Sequence, residues 1–352
     1  MAVSAGFSEK LLQHPEAGSE AALARIALGK KRIQSVLDRE TVAHYRTLEQ
    51  KISDQGPEGQ LVDPHLLGLA VMDMLEQNRL RSVNHPGSGK APWYTNLTTK
   101  DEAIAKRLDV LAPLYQSVSG GGFGNLTGDA LEVVVFQVLR SIFAANKRFA
   151  YQGHFYLDKP KNEHGRFVKL QPPKGVGGGI TTKKADFIQF GHSAGPLCIE
   201  CKNYREWLYP GSQLIKDTIL KAYELESVPV LVARRIHYSA MSNFLAPAGI
   251  IAHESFNQYY PSDQAELAEK VSHKRSLGFT DVIATETPHK RTRVFFEKTL
   301  PSIVDAMGDR WNSNKDALFE YAKGELNLAQ LYTAIGSPAG GKWNDPPTDF
   351  EF

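Results

Sequence analysis

Lys184-Ala185-Asp186-Phe187-Ile188-Gln189-Phe190, then Gly191-His192-Ser193-Ala194-Gly195, then Pro196-Leu197-Cys198-Ile199-Glu200-Cys201-Lys202 is the stretch on which the fold turns. Two apolar runs flank five residues of turn chemistry, the pattern of a β-hairpin. Pairing Phe190 with Pro196 across that loop sets Asp186 directly opposite Glu200, and Lys202, two residues on, faces the same way. Two carboxylates and one ammonium then converge on one face of a sheet, near the strand ends. Opposed acids repel unless a cation lies between them, and hard oxygen ligands around an open position suit Mg2+ or Mn2+. A lysine beside such an ion can orient or help deprotonate a water and offset charge growing on a phosphate. The Glu-x-Lys spacing is uninformative alone, since Glu49 to Lys51 repeats it in a polar helix.

Upstream, Thr127-Gly128-Asp129-Ala130-Leu131-Glu132 opens an apolar helix that runs to about Ala145. Glu132 sits among Leu131, Val134 and Val135, where a carboxylate is costly to desolvate without a compensating cation, so it is a candidate metal-site residue. The plainer reading is a solvated acid favoured by the helix dipole. A strand over Phe149 to Leu157 and a basic, Pro/Gly-rich excursion follow. Beyond the hairpin, Gln213 to Leu225 reads as a helix, Val228 to Ala233 as a buried parallel strand and Gly249 to Ala252 as a further short strand.

This order resembles the PD-(D/E)XK, or restriction-endonuclease-like, nuclease superfamily over about residues 125 to 255. Asp186 and Glu200-Cys201-Lys202 match its core motif, Glu132 matches its frequent helix-borne acid, and Ala185 replaces the usual Pro. The resemblance implies an α/β fold with a mixed sheet flanked by helices and Mg2+- or Mn2+-dependent hydrolysis of DNA to leave a 5′-phosphate. It implies metal ligation by Asp186, Glu200, the Cys201 carbonyl and Glu132, with Lys202 aiding the water. Double-stranded DNA is the expected substrate and a homodimer the expected assembly, as in Mrr-like restriction and defence enzymes. A Holliday-junction-resolvase-like or repair nuclease, and an inactive nucleic-acid-binding module, are the alternatives. Asn203, Arg205 and Gln213, after the motif, and Lys183 and Lys184, before it, are candidate DNA contacts, and Gln213, Lys216 and Lys221 on the following helix are candidates to reach the scissile region.

The front of the chain reads as helical over residues 1 to about 60, with segments at Ala21 to Leu28, Arg32 to Leu37 and Val42 to Ile52. Asp63-Pro64 starts another helix. Arg79 to Val83, the turn from His85 to Gly89 and Pro92 to Leu97 then complete a pattern that resembles a winged helix over roughly residues 40 to 98. That resemblance implicates Arg79, Arg81, His85 and Lys90 in nucleic-acid contact, or else a unit for protein contacts. The Gly-Ser-Gly-Lys at Gly87 to Lys90 lacks the Gly and the Ser/Thr of a phosphate-cradling loop, so no nucleotide cofactor is expected. The expected organisation is a helical and winged-helix-like domain over 1–116, a linker at 117–124, the core at 125–255, a mainly helical extension over 256–342 with helices at Ala265 to Val271, Val294 to Val304 and Ala317 to Leu331, and a disordered tail at 343–352.

Composition adds limits. The chain has 352 residues, with 41 Lys plus Arg against 39 Asp plus Glu and 42% hydrophobic, an ordinary globular balance. Charge is concentrated between Arg140 and Lys184, where ten basic residues outnumber two acids for a net +8, the footprint either of a polyanion binder or of a solvated loop kept soluble by its lysines. Two cysteines, Cys198 and Cys201, make no disulfide framework, and three residues apart on a strand they face opposite ways, which suits core packing and not zinc. Without a signal-peptide core or a long apolar run, a reduced, cytoplasmic protein with no membrane role is expected.

Overall fold

A computed structural model describes residues 19–54, 61–85, 91–171, 175–176, 179–180 and 184–336. The fold is mixed α/β, without a closed barrel among these residues. Two compact units divide it: described residues before Gly124 group with Glu266–Val282, and Gly124–Ala265 groups with the described part of Ile283–Gly341.

In the first unit, helix α1 (Glu20–Glu40) is capped by Ser19, whose side chain accepts from the Ala22 N–H, and buries Ile26, Ile33, Val36 and Leu37. Strand β1 (Val42–His44), helix α2 (Pro64–Glu76), β2 (Leu80–Val83) and β3 (Trp93–Asn96) follow, and the antiparallel sheet runs β1-β3-β2. The helix expected from Val42 begins only at Tyr45. Val42, Ala43 and His44 are all buried and pair with Thr95, Tyr94 and Trp93, and this burial overrides their helical spacing. Helix α3 (Asp101–Ser119) then ends at Gly120, and α4 (Gly121–Ala145) starts at once. The expected linker at 117–124 is therefore helical but for one residue, because a helix once nucleated by its apolar body propagates through weak formers.

The second unit centres on a five-stranded sheet. Strands β4 (Tyr151–Gln152), β7 (Phe187–Gln189), β8 (Leu197–Lys202), β9 (Val228–Ala233) and β10 (Ile251–Glu254) lie in the order β10-β9-β8-β7-β4; β5 (His154–Phe155) and β6 (Lys169–Leu170) form a separate pair. Strands β8, β9 and β10 are parallel, β7 is antiparallel to β8, and β4 is antiparallel to β7. The hairpin keeps the expected register, with Gln189 on Leu197 and Phe187 on Ile199. The strand expected over 149–157 is broken at Gly153, which has φ +96°. Helix α5 (Gln213–Glu224) links β8 to β9, whose six residues are all buried, as a parallel strand covered on both faces requires.

The region after 255 is not a separate extension. Glu266–Val282 belongs with the first unit, while Phe295, Leu300, Val304 and Trp311 join the core of the second. The two periodic segments expected at 294–304 and 317–331 are bridged by helix α6 (Leu300–Lys323), whose inward stripe packs into this core. The tail at 343–352, like Lys90 and Lys183, lies outside the described residues. No helix among the described residues is long and apolar enough to cross a membrane.

Candidate functional site

The hairpin register carries Asp186, the residue immediately before β7, to the level of Glu200 in β8. There the Asp186 N–H donates to Glu200 Oε1 at 3.3 Å, and Asp186 Oδ2 accepts from the Cys201 N–H at 2.7 Å. Glu200 is 1% exposed in its side chain. Its Oε2 accepts from the Lys202 ammonium at 2.7 Å and from the Lys221 ammonium, in α5, at 2.6 Å. Burial first, then the neighbouring Asp186 carboxylate, raise the pKa of Glu200, against the two lysines. Burial disfavours the charge on Lys202, but Glu200 and Asp186 outweigh it and hold the ammonium protonated, above the usual lysine range.

Glu132 enters from α4 with its side chain 12% exposed. Burial and then Asp186 push its pKa up to about 8, while Lys169 opposes the rise. Lys169, in β6, donates to Glu132 Oε2 at 2.8 Å and to Asp129 Oδ1 at 3.2 Å. Arg166 grips both Asp129 oxygens at 2.7 and 2.8 Å, a bidentate fork on a carboxylate that is 2% exposed. Four acids thus face four cations, and the basic excursion supplies two of them.

Asp186, Glu200 and Lys202 adjoin one another, while Glu132 feels the Asp186 charge but is hydrogen-bonded to Lys169. Asp129, Arg166 and Lys169 were missing from the set read from the sequence, whereas Lys221 belonged to it as a residue of the next helix placed to reach the scissile region. The signal of Arg166 and Lys169 lay in the +8 segment, but no spacing rule ties a loop lysine to a helix acid. The Cys201 thiol is buried in the core, with its pKa raised by burial first and Asp186 next. Cys198 is likewise buried, and both thiols are free.

The expected DNA contacts divide. Asn203 is 4% exposed and its amide donates to the Thr127 and Tyr259 carbonyls at 2.7 and 2.6 Å, so it ties the motif to α4 and to the segment Gln258–Tyr260 and does not face a ligand. Arg205 donates to Gln258 at 2.9 Å and Gln213 to Asp217 at 3.1 Å. Lys184 and Arg79 are exposed; Arg81 is held by the Thr99 carbonyl and Asp101.

For a divalent ion, the donor set is of the right kind: buried, hard carboxylate oxygens whose mutual repulsion a cation would relieve. Among the described residues, however, no group of three or more His, Cys, Asp or Glu side chains is gathered to hold an ion. Neither a protein-family model, nor a curated protein, nor a solved structure matches the chain.

Proposed function

We propose that the chain is a metal-dependent DNA endonuclease with a restriction-endonuclease-like core and a winged-helix-like unit ahead of it. The observation that carries this reading is the convergence of Asp186, Glu200 and Lys202 at adjoining strand ends, with Glu132 arriving from the preceding helix. The sequence α4, β4, β7, β8, α5, β9, with β7 antiparallel and β9 parallel to β8, supports the core assignment. The order α1, β1, α2, β2, β3 with a three-stranded antiparallel sheet supports the winged-helix-like one.

Asp186, Glu200 and Glu132, with the Cys201 carbonyl, would hold Mg2+ or Mn2+. A divalent ion so held supplies Lewis-acid catalysis and a water of lowered pKa. Lys202, kept as an ammonium by Glu200 and Asp186, stabilises negative charge developing on a phosphate. Lys184 and Arg205, exposed and half-buried on either side of the motif, offer positive charge to a DNA backbone. Duplex cleavage needs two cuts, for which a homodimer brings two sites, and a restriction or defence role in a reducing cytoplasm suits an enzyme with two free, buried thiols.

The second reading, an inactive nucleic-acid-binding module, draws on the saturation of Glu200 Oε2 by two ammoniums. Calorimetric titration with Mn2+ separates the two. The nuclease reading expects binding that Asp186→Ala abolishes; absence of binding by the unaltered chain contradicts it.

A further inference from the structure

A groove in the second unit takes no part in the acidic site. It lies between the C-terminal half of α4 and the π-helical turn Phe295–Thr299 that leads into α6, and its two lobes share Ser141 and Glu297. The first lobe, of about 220 Å3, is walled by Ile142, Phe149 and Phe296, with Gln189 and His192 among them. The second, of about 370 Å3, is lined by Arg140 and Arg293 beside Gln137 and Pro288. Sites for small molecules run to roughly 300–1,000 Å3, a range that the two lobes reach together. Single π-helical turns inside longer helices are uncommon and recur at functional sites.

The polar groups of the groove are placed by the fold and left over by it. Gln189 closes β7, paired with Leu197 and Tyr151, and is 2% exposed, yet its amide oxygen has no hydrogen-bond partner among the described residues; nor has His192 Nε2. A buried polar atom so left is costly, and a ligand that pairs with it recovers the cost. His192 is held in place: Gly191, at φ +93°, accepts from Arg148 Nε at 2.7 Å, and the Phe149 ring lies 5.0 Å from the imidazole. Burial first, then Arg148, lower the pKa of His192, against Asp305, so it lines the lobe as a neutral ring. In the other lobe Arg140 and Arg293 are exposed and form no ion pair among the described residues. The Arg140 guanidinium rests 5.7 Å from the Phe136 ring, which steadies it without cancelling its charge. Gln137 donates to the Glu286 carbonyl at 2.8 Å and ties α4 to the segment that leads to Arg293.

The lobes differ as the parts of a nucleotide differ. A base stacks on aromatic faces and offers an edge that an amide side chain pairs well. A ribose offers hydroxyls that a carboxylate accepts. A phosphate suits the fork of an arginine. We infer that this groove binds a nucleoside monophosphate, with the base against Phe149 and Phe296 and its edge on Gln189 and His192, the ribose hydroxyls on Glu297, and the phosphate on Arg140 and Arg293. Arginine side chains here replace the phosphate-cradling loop that the sequence lacks. The nucleotide is bound and not hydrolysed, and the inference stands apart from the nuclease reading.

The test is calorimetric titration of the full chain with AMP, GMP, CMP and UMP, with the matching nucleosides and with inorganic phosphate. Gln189→Leu and the double variant Arg140→Met with Arg293→Met run alongside, with thermal melting as the measure of folding. The expected result is saturable binding of at least one mononucleotide, weakened by at least about tenfold in each variant, as loss of a buried or charge-assisted hydrogen bond produces. The arginine variant, altered only at exposed positions, is expected to melt as the unaltered chain does and to bind the matching nucleoside with unchanged affinity. Absence of binding by all four mononucleotides at about 1 mM, the weak end of ordinary affinity, overturns the inference. So does mononucleotide binding that the arginine variant retains in full, or inorganic phosphate bound as tightly as the nucleotide, which would leave the aromatic lobe without a role.

Discussion

A carboxylate as enclosed as Glu200 is expensive to ionise, and two lysines supply the compensation. Buried ion pairs seldom add net stability over apolar residues of similar volume, so their presence at adjoining strand ends argues for a chemical task. His253 in β10 shows the opposite, structural use of burial. It is 8% exposed, its ring stacks on Phe295 at 4.4 Å, and its Nε2 has no hydrogen-bond partner among the described residues. Burial, helped by Arg291, lowers its pKa from 6.5 to about 3. The folded value lies below the unfolded one, so the unfolded chain takes up the proton first. The stability that His253 contributes is complete above about pH 6.5 and is lost as pH falls towards 3, by about 1.4 kcal/mol per pH unit. Urea unfolding of His253→Phe across this window is expected to show a correspondingly shallower loss; parallel curves for the two proteins would refute it.

At the scale of elements, Gly153 sets the corner between β4 and β5. Its φ of +96° is one that side chains rarely adopt, and an added Cβ would lie 2.6 Å from the Asp186 carbonyl oxygen and 2.8 Å from the Phe187 ring. Gly153→Ala is expected to cost roughly 1–3 kcal/mol of stability, read by urea unfolding, and to impair the site by displacing the Asp186 backbone. A stability change below about 0.5 kcal/mol would show that the corner is not under this constraint. The hairpin was legible because a short glycine-flanked loop between apolar runs fixes register, and period two then fixes which side chains meet. The strand β9 was legible as an unbroken apolar run. Asn203 was misread because a polar residue after a strand looks solvent-facing, whereas its amide serves the carbonyls of two distant segments. Lys169 and Arg166 were not legible as site residues, since their partners lie 37 or more positions away across an irregular excursion.

For the whole molecule, the +8 count over Arg140 to Lys184 overstates the field available to a polyanion. Arg166 and Lys169 are spent on Asp129 and Glu132, and Lys161 on Asp263. Arg140, Lys147, Arg148, Lys159 and Lys184 remain exposed, the hydrogen bond from Arg148 to the Gly191 carbonyl leaving its charge uncancelled. The charge therefore does two jobs, closing the acidic site through Arg166 and Lys169 and leaving other basic residues of the segment exposed. Cores in the two units are separate clusters, one around α1 and α2 and the other around the five-stranded sheet, and the candidate site belongs wholly to the second. Conversion of supercoiled plasmid to nicked and linear forms, by purified protein with Mg2+ or Mn2+ and with Lys202→Ala alongside, bears most directly on the central claim. Cleavage that requires the ion and falls by at least about a hundredfold in the variant is the expected result, as loss of one stabiliser of transition-state charge typically produces. Plasmid left intact by the unaltered protein, or cut equally well by Lys202→Ala, would contradict it.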